Sequence, residues 1–144
     1  MSLARIRRAT RLVEQRTAMV GRIEIEIGQR MREAAQSEAE VRAAREVWEA
    51  AASATQGPVC SSAELSESHA YRMALMRQVE ILSARATKHR LDEEAAREKL
   101  RAAKIELRKI EIWRDRLVET IRAEEAAKER KAADDIAARI ARTA

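Results

Sequence analysis

Seven apolar residues recur at a strict spacing of seven along the first third of the sequence. They are Ile6, Val13, Val20, Ile27, Ala34, Val41 and Trp48. This spacing keeps them on one narrow stripe of an α-helix and favours a left-handed supercoil with a second helix. If the stripe is heptad position a, the d row is weaker, since Arg16 and Arg30 interrupt it. The row predicts a first helix over about 3–54.

One strong break follows this pattern. Gly57-Pro58 is the only adjacent Gly/Pro pair in a chain with three glycines and one proline. Glycine suits the left-handed conformation past a helix end, and proline cannot simply continue a helix. Ser61 and Glu64 then have the spacing of a capping box. We therefore predict a turn at 55–61 and a second helix over about 62–141.

The second helix carries two apolar rows of its own. One row is Leu75, Leu82, His89, Ala96, Ala103, Ile110 and Leu117, and its companion is Val79, Ala86, Glu93, Leu100, Leu107, Arg114 and Ile121. Each helix has a single narrow seam, so neither is expected to be stable alone in water. A short connection makes an antiparallel pair the simplest arrangement. The predicted fold is all-α: one antiparallel coiled-coil hairpin over 1–144.

The register of this hairpin follows from the seam. If each residue of the first helix is paired with the residue of the second helix that brings the sum of the two residue numbers to about 123, apolar residues meet and Arg30 lies opposite Glu93. We hypothesise that Arg30 and Glu93 help to fix the register, as polar core residues can do. The second helix then extends past the first by roughly 20 residues, or about 30 Å. That extension is rich in alanine and charge and keeps only Ile136 and Ile140 as large apolar residues.

Motifs for catalysis are scarce. The chain contains two histidines, His69 and His89, and one cysteine, Cys60, without a Gly-rich phosphate loop or a nucleophile elbow. His89 lies on the seam, where we interpret it as a polar residue that the core tolerates. Glu93, four residues further along the helix, would be needed for a metal site with His89, and this pair alone is only a weak indication of metal binding. A two-helix architecture also offers no deep substrate pocket. We predict a non-enzymatic protein with no cofactor and no bound metal.

The cysteine count and the distribution of apolar residues both bear on where the protein is located in the cell. A single cysteine excludes an internal disulfide and fits a reducing cytoplasm. No apolar run approaches the roughly 20 residues that a membrane span needs. The expectation is a cytoplasmic protein without direct membrane insertion.

Basic residues cluster near the N-terminus, although the whole chain carries only +5. The cluster comprises Arg5, Arg7, Arg8, Arg11, Arg16 and Arg22 against Glu14 alone. Such a helix could bind phosphates. Because no aromatic residues interleave with the arginines, base stacking is not expected. We favour contact with an acidic protein surface and predict no nucleic-acid partner.

Large side chains gather on both sides of the predicted turn. They are Trp48, Val59, Tyr71, Met73 and Met76. Two interpretations stay open at this point. These residues either pack the tip of the hairpin or form an exposed patch for a partner, since Trp, Tyr and Met are enriched in interfaces.

The two-helix hairpin, the basic start and the longer second helix resemble the FliJ/YscO group of type III secretion and flagellar export stalk proteins. The stretch EEAAKERKAADDI at 124–136 is similar to the family's charged C-terminal stretch, with Asp134-Asp135 in place of its frequent Asp-Glu pair. Such proteins are similar in shape to the γ stalk of rotary ATPases. The resemblance implies that the paired helix ends enter a hexameric export ATPase, that the other end faces an export gate membrane protein, and that some members bind secretion chaperones.

The resemblance also implies site residues. Contacts to the ATPase ring would come from Arg8, Arg11, Leu12, Arg122, Glu125, Glu129 and Asp135. Contacts at the tip would come from Trp48, Tyr71, Met73 and Met76. The free protein would be a cytoplasmic monomer, peripheral to a membrane-embedded secretion apparatus that serves virulence or symbiosis. The alternatives are a generic cytoplasmic coiled-coil scaffold or adaptor and, less favoured, a basic nucleic-acid-binding rod.

Overall fold

Two long helices account for the fold. The computed structural model describes residues 2–54 and 61–144. Helix α1 spans Ser2–Ala54 and helix α2 spans Ser62–Thr143, each within two residues of its predicted bounds. The helices pack against each other in opposite directions, since Glu26 pairs with Lys99 whereas Glu38 pairs with Arg90. The predicted all-α antiparallel hairpin is therefore confirmed.

The start of α2 is set by a side-chain cap. The backbone N–H of Glu64 donates to Ser61 Oγ at 3.2 Å, and the N–H of Leu65 donates to the carbonyl of Ser61 at 3.1 Å. These bonds satisfy amide groups that the first helical turn leaves without partners. The predicted capping role of Ser61 is confirmed. The rest of the predicted turn, including Gly57, Pro58, Val59 and Cys60, lies outside the described residues.

The chain groups into two compact units. Unit 1 comprises residues 1–21 and 101–144, and unit 2 comprises residues 22–100. Neither helix contains, over its described residues, a stretch long and apolar enough to cross a membrane.

The core of unit 2 follows the predicted heptad rows. Its buried side chains are Ile23, Ile27, Ala34, Ser37 and Val41 from α1 and Ala86 and Ala96 from α2. Ion pairs of Arg30 with Asp92, Glu38 with Arg90 and Glu26 with Lys99 join the two helices along the edges of this seam, and their residue numbers sum to between 122 and 128. These sums lie close to the predicted value of 123. Heptad spacing therefore determined both the buried face and the approximate pairing of the helices.

The core of unit 1 is smaller. Ala9, Val13 and Val20 of α1 are buried, as is Ile121 of α2. Every residue from 122 to 144 is exposed, although the helix continues to Thr143. In this exposed segment the continuation of the two α2 rows carries Glu124, Lys128, Lys131 and Asp135. Ile121 is thus the last buried residue of α2, and with paired residue numbers summing to about 122–128 it lies opposite the start of α1.

Candidate protein-binding surfaces

The predicted register residues belong to a polar layer in unit 2. Arg30 Nη1 lies 3.4 Å from Glu33 Oε2 on its own helix and 3.9 Å from Asp92 Oδ2 on α2. Glu93 instead pairs with Arg97, one turn further along α2, at 2.8 Å. The acid that Arg30 reaches across the seam is thus Asp92, the neighbour of the predicted Glu93. A long arginine side chain reaches such an edge position because its charged group stays hydrated there while its stem packs.

His89 lies in the same polar layer, beside Glu33. Its Nδ1 lies 3.6 Å from Glu33 Oε2, and this buried nitrogen has no hydrogen-bond partner within the described residues. Glu93, which sequence spacing had suggested as a second ligand, is bonded to Arg97. No group of three or more His, Cys, Asp or Glu residues in the described ranges could hold a metal ion.

The predicted tip residues divide into two sets in unit 2. Trp48 is half-buried and lines a groove of about 300 Å³ together with Met76. Arg45, Glu49, Val79 and Glu80 complete the lining. Tyr71 and Met73 are exposed and do not line this groove. The groove joins an aromatic ring, a flexible thioether and charged rims, which suits a partner's apolar side chain.

Unit 2 has a larger groove that the sequence reasoning missed. It has a volume of about 380 Å³ and is lined by Glu40, Ala43, Ala44, Val47, Leu75, Gln78 and Leu82. The hollow arises because the short side chains of Ala43 and Ala44 face leucines across the seam. Alanine at a d position opposite leucine was the signal that could have revealed it.

The predicted ring contacts all belong to unit 1. Arg8 and Arg11 are exposed on α1, and Leu12 is half-buried beside the seam. The other four residues, Arg122, Glu125, Glu129 and Asp135, are exposed on the segment of α2 beyond Ile121. Spacings of three and seven residues bring Arg122, Glu125 and Glu129 onto one helix face, whereas Asp135 lies on another.

Positive charge is concentrated in unit 1. Its residues include 17 basic and 10 acidic side chains, a formal charge of +7. Unit 2 has 12 basic and 14 acidic side chains, a formal charge of −2. The sequence reasoning found only the N-terminal arginines, because the excess on α2 is dispersed among paired charges. Such a separation of charge directs acidic partners toward unit 1.

The pKa of one carboxylate in unit 1, that of Glu106, is shifted by this basic environment. The pKa of Glu106 is lowered because Lys109 Nζ donates a hydrogen bond to it at 2.9 Å and adds its positive charge. Arg16 of α1 lowers the pKa further by its charge. Both basic neighbours favour the ionised form of this carboxylate, which lowers its pKa.

Three exposed apolar residues of α2 in unit 1 lie outside the seam rows, and the sequence reasoning did not assign two of them, Ile105 and Ile112. Ile105, Ile112 and Trp113 are exposed by 57%, 38% and 51%, respectively. Ile105 and Ile112 each follow a seam residue by two positions, which turns them away from α1. Large apolar residues at outward heptad positions were the available signal.

No protein-family model, curated protein or solved structure matches the chain. The described residues are therefore characterised by their own fold and surfaces: an all-α antiparallel hairpin with a basic unit, an exposed helical segment and grooves in unit 2.

Proposed function

We propose that this protein is the central stalk of a type III secretion export apparatus. In this role it binds a hexameric export ATPase, links it to the export gate membrane protein, and contacts secretion chaperones. It works without catalysis, in the cytoplasm, peripheral to a membrane-embedded apparatus. The observation that supports this proposal best is the helical segment at 122–144, in which every side chain is exposed.

The composition of the exposed segment explains how it could serve as a binding arm. Ala, Glu, Lys and Arg are strong helix formers, so the segment stays helical without packing against α1. A preformed helix loses less conformational entropy on binding than a disordered chain does. Charged residues at the former seam positions also exclude an apolar partner helix on that face. The segment therefore suits a partner with a polar, charged lining.

The ring contact would be electrostatic. Arg8 and Arg11 extend from the basic start of α1, and Arg122 shares a helix face with Glu125 and Glu129. A hexameric ring repeats the same charges around its bore. Alternating charges on the stalk can then form several similar ion pairs in turn. Each exposed ion pair contributes at most about 1 kcal/mol, so losing one and forming the next changes the binding energy little. No single orientation would dominate.

The gate and chaperone contacts would lie in unit 2. The groove beside Trp48 and Met76 would take an apolar side chain of the partner, with Tyr71 and Met73 beside it as exposed contacts. Trp and Tyr are the residue types that most often dominate binding energy in interfaces.

A purified export ATPase tests the ring contact directly. The triple variant Arg8→Glu, Arg11→Glu and Arg122→Glu should reduce binding and stimulation of ATP hydrolysis at least ~10-fold, which corresponds to about 1.4 kcal/mol. The control reverses three exposed arginines of unit 2, Arg32, Arg42 and Arg77, with the same change in net charge. The control should behave as the unmodified protein does. Full stimulation by the first variant would contradict the proposed contact.

A generic cytoplasmic scaffold is the second candidate. The observation that favours it is the presence of grooves in unit 2, because a third helix could bind along one of them. A scaffold would bind helical partners without stimulating an export ATPase. A basic nucleic-acid-binding rod is a weaker candidate, and DNA retention that falls steeply with salt would favour it.

A further inference from the structure

One edge of the helix pair in unit 1 is apolar where the equivalent edge of unit 2 is charged. In unit 2, Glu26 pairs with Lys99 at 3.5 Å beside the seam. Two heptads earlier on α1, Leu12 takes the position of Glu26, and two heptads later on α2, Trp113 takes that of Lys99. The heptad repeat therefore places Leu12 and Trp113 beside each other.

An interaction within unit 1 supports this placement. Arg16 lowers the pKa of Glu106 by its positive charge, so these two side chains lie near each other across the seam. Trp113 follows Glu106 by seven residues. Ala9 precedes Arg16 by seven, so the antiparallel pairing brings Trp113 beside Ala9. Ala9 is 0% exposed and Trp113 is 51% exposed, so the tryptophan lies at the boundary between the core of unit 1 and solvent.

Met19 extends this apolar edge. It follows Leu12 by one heptad, about 10.5 Å along α1 at 1.5 Å per residue. Its side chain is 45% exposed, and Leu12 is half-buried. We call Leu12, Met19 and Trp113 the edge patch. The positions beside the seam of a helix pair are normally polar, so three large apolar side chains there indicate a surface that binds something.

Arginines without ion-pair partners border the edge patch. Arg5 precedes Leu12 by seven residues, and Arg8 precedes it by four. Arg116 follows Trp113 by three. Side chains at these spacings share one face of a helix. Among the described residues, none of the three arginine side chains has an ion pair or a hydrogen bond.

Acids on the same side of α2 do not cancel this positive charge. Glu106 is already bonded to Lys109 at 2.9 Å. Glu119, three residues after Arg116, offsets one of the three arginines. The border of the edge patch is therefore positive, in agreement with the formal charge of +7 on unit 1.

We infer that the edge patch binds an acidic segment of a partner protein, one that presents apolar side chains between its acids. Its apolar side chains would pack on Leu12, Met19 and Trp113. Its carboxylates would meet the bordering arginines, whose guanidinium groups bind a carboxylate with two parallel hydrogen bonds. Because Leu12 and Arg8 also belong to the proposed ring contact, the identity of the partner rests on the proposed function, whereas its chemistry does not.

Charge and geometry disfavour other occupants. A second copy of unit 1 would bring a charge of +7 against +7. A lipid surface needs a broader apolar face than three side chains provide. A nucleic-acid strand needs a track of cations and several stacking rings, whereas Trp113 is the only aromatic residue in the sequence of unit 1 and has Glu106 and Glu119 on either side of it.

Trp113 itself provides the measurement. In a Trp48→Phe background it is the only tryptophan. The probe is a synthetic helical peptide of about three heptads with Leu at a and d and Glu at e and g. Because Trp113 is about half exposed, binding should produce a blue shift of its emission that saturates with the peptide and weakens with added salt. The same peptide with Lys in place of Glu should leave the emission unchanged.

Two methionines of α1 give a matched test of the apolar contact. Met19 and Met31 are 45% and 46% exposed, but Met31 lies in unit 2, away from the edge patch. Met19→Gln should weaken peptide binding at least ~3-fold, whereas Met31→Gln should leave it unchanged. Because both positions are exposed, neither substitution should alter the fold, and circular dichroism checks this.

Two pairs of arginines test the charge. Arg5→Gln with Arg116→Gln should weaken binding of the Glu peptide at least ~3-fold at low salt. The control is Arg7→Gln with Arg139→Gln, which makes the same change in net charge at exposed positions of unit 1 that do not border the edge patch. The control should retain binding.

Four results would each overturn the inference: no shift with the Glu peptide, an equal shift with the Lys peptide, equal binding by the two methionine variants, or equal binding by the two arginine variants. A Trp113 shift with phosphatidylglycerol vesicles or single-stranded DNA in place of the Glu peptide would also overturn it, as would a concentration-dependent rise in mass that Met19→Gln abolishes. None of these measurements uses an export ATPase. Peptide binding without ATPase stimulation would therefore contradict the proposed function and support this inference.

Discussion

The end of the seam at Ile121 can be tested with two isoleucines of the same helix. Ile121 is 7% exposed and Ile140 is 64% exposed. Ile→Ala removes three carbon atoms, and each buried methylene contributes about 0.8 kcal/mol, so the transfer loss at Ile121 is roughly 2.4 kcal/mol. A cavity adds to this loss, but the site lies beside exposed helix and can partly collapse. We expect Ile121→Ala to lower the free energy of unfolding by about 2–3 kcal/mol.

Ile140→Ala should have almost no effect on the free energy of unfolding. Its side chain is mostly hydrated, and alanine has a higher helix propensity than β-branched isoleucine. The expected change is within about 0.5 kcal/mol in either direction, which is the scale of surface substitutions. The two variants remove the same atoms and differ only in burial. Their comparison therefore isolates the contribution of packing against α1.

Urea denaturation followed by far-ultraviolet circular dichroism measures both variants, and Trp113 emission in the Trp48→Phe background reports on unit 1 alone. The second signal matters because the two units need not unfold in one transition. Equal destabilisation by Ile121→Ala and Ile140→Ala would refute the reasoning. So would a loss above about 1 kcal/mol for Ile140→Ala, since that value indicates burial at that position.

Two further predictions concern charged groups. Lys109→Met should raise the pKa of Glu106 toward its ordinary value of 4.5, as followed by NMR of the side-chain carboxyl carbon; an unchanged midpoint would contradict the assigned cause. Because the folded-state pKa is lowered, the stabilisation from this carboxylate is present above its unfolded-state pKa and is lost as pH falls through the folded-state pKa. In double-mutant cycles, Arg30 should couple more strongly with Asp92 than with Glu93, with both coupling energies below about 1 kcal/mol at these partly exposed positions. Stronger coupling to Glu93 would restore the pair that the sequence suggested.

Heptad spacing predicted the fold well because it is a local property with a direct geometric meaning. All seven residues of the α1 row, from Ile6 to Trp48, are buried or half-buried, and the seam rows of α2 face inward as well. The cap at Ser61 followed from a short motif whose hydrogen bonds involve neighbouring residues only. These features require no knowledge of how side chains pack across the seam.

The ion-pair partner of Arg30 and the grooves could not be obtained in this way. Asp92, Glu93 and Glu94 are consecutive acids, and the choice among them depends on side-chain rotamers rather than on register. The groove near Ala44 depends on the volumes of residues from both helices at once. The exposed Ile105 and Ile112 were visible in the sequence as isoleucines at outward positions, but a search restricted to the seam rows does not detect them.

Charge and apolar exposure together separate the surfaces of this protein by the partners that they suit. Unit 1 has a formal charge of +7, which favours a partner that supplies negative charge. Unit 2 is slightly acidic, and its groove of about 380 Å³ is lined largely by Ala, Val and Leu, so a partner bound there would gain mainly from apolar burial. Salt screens the first kind of contact and leaves the second largely unchanged. A protein built in this way can hold two partners whose affinities respond differently to ionic conditions, because the contacts that bind each partner rest on different physical forces.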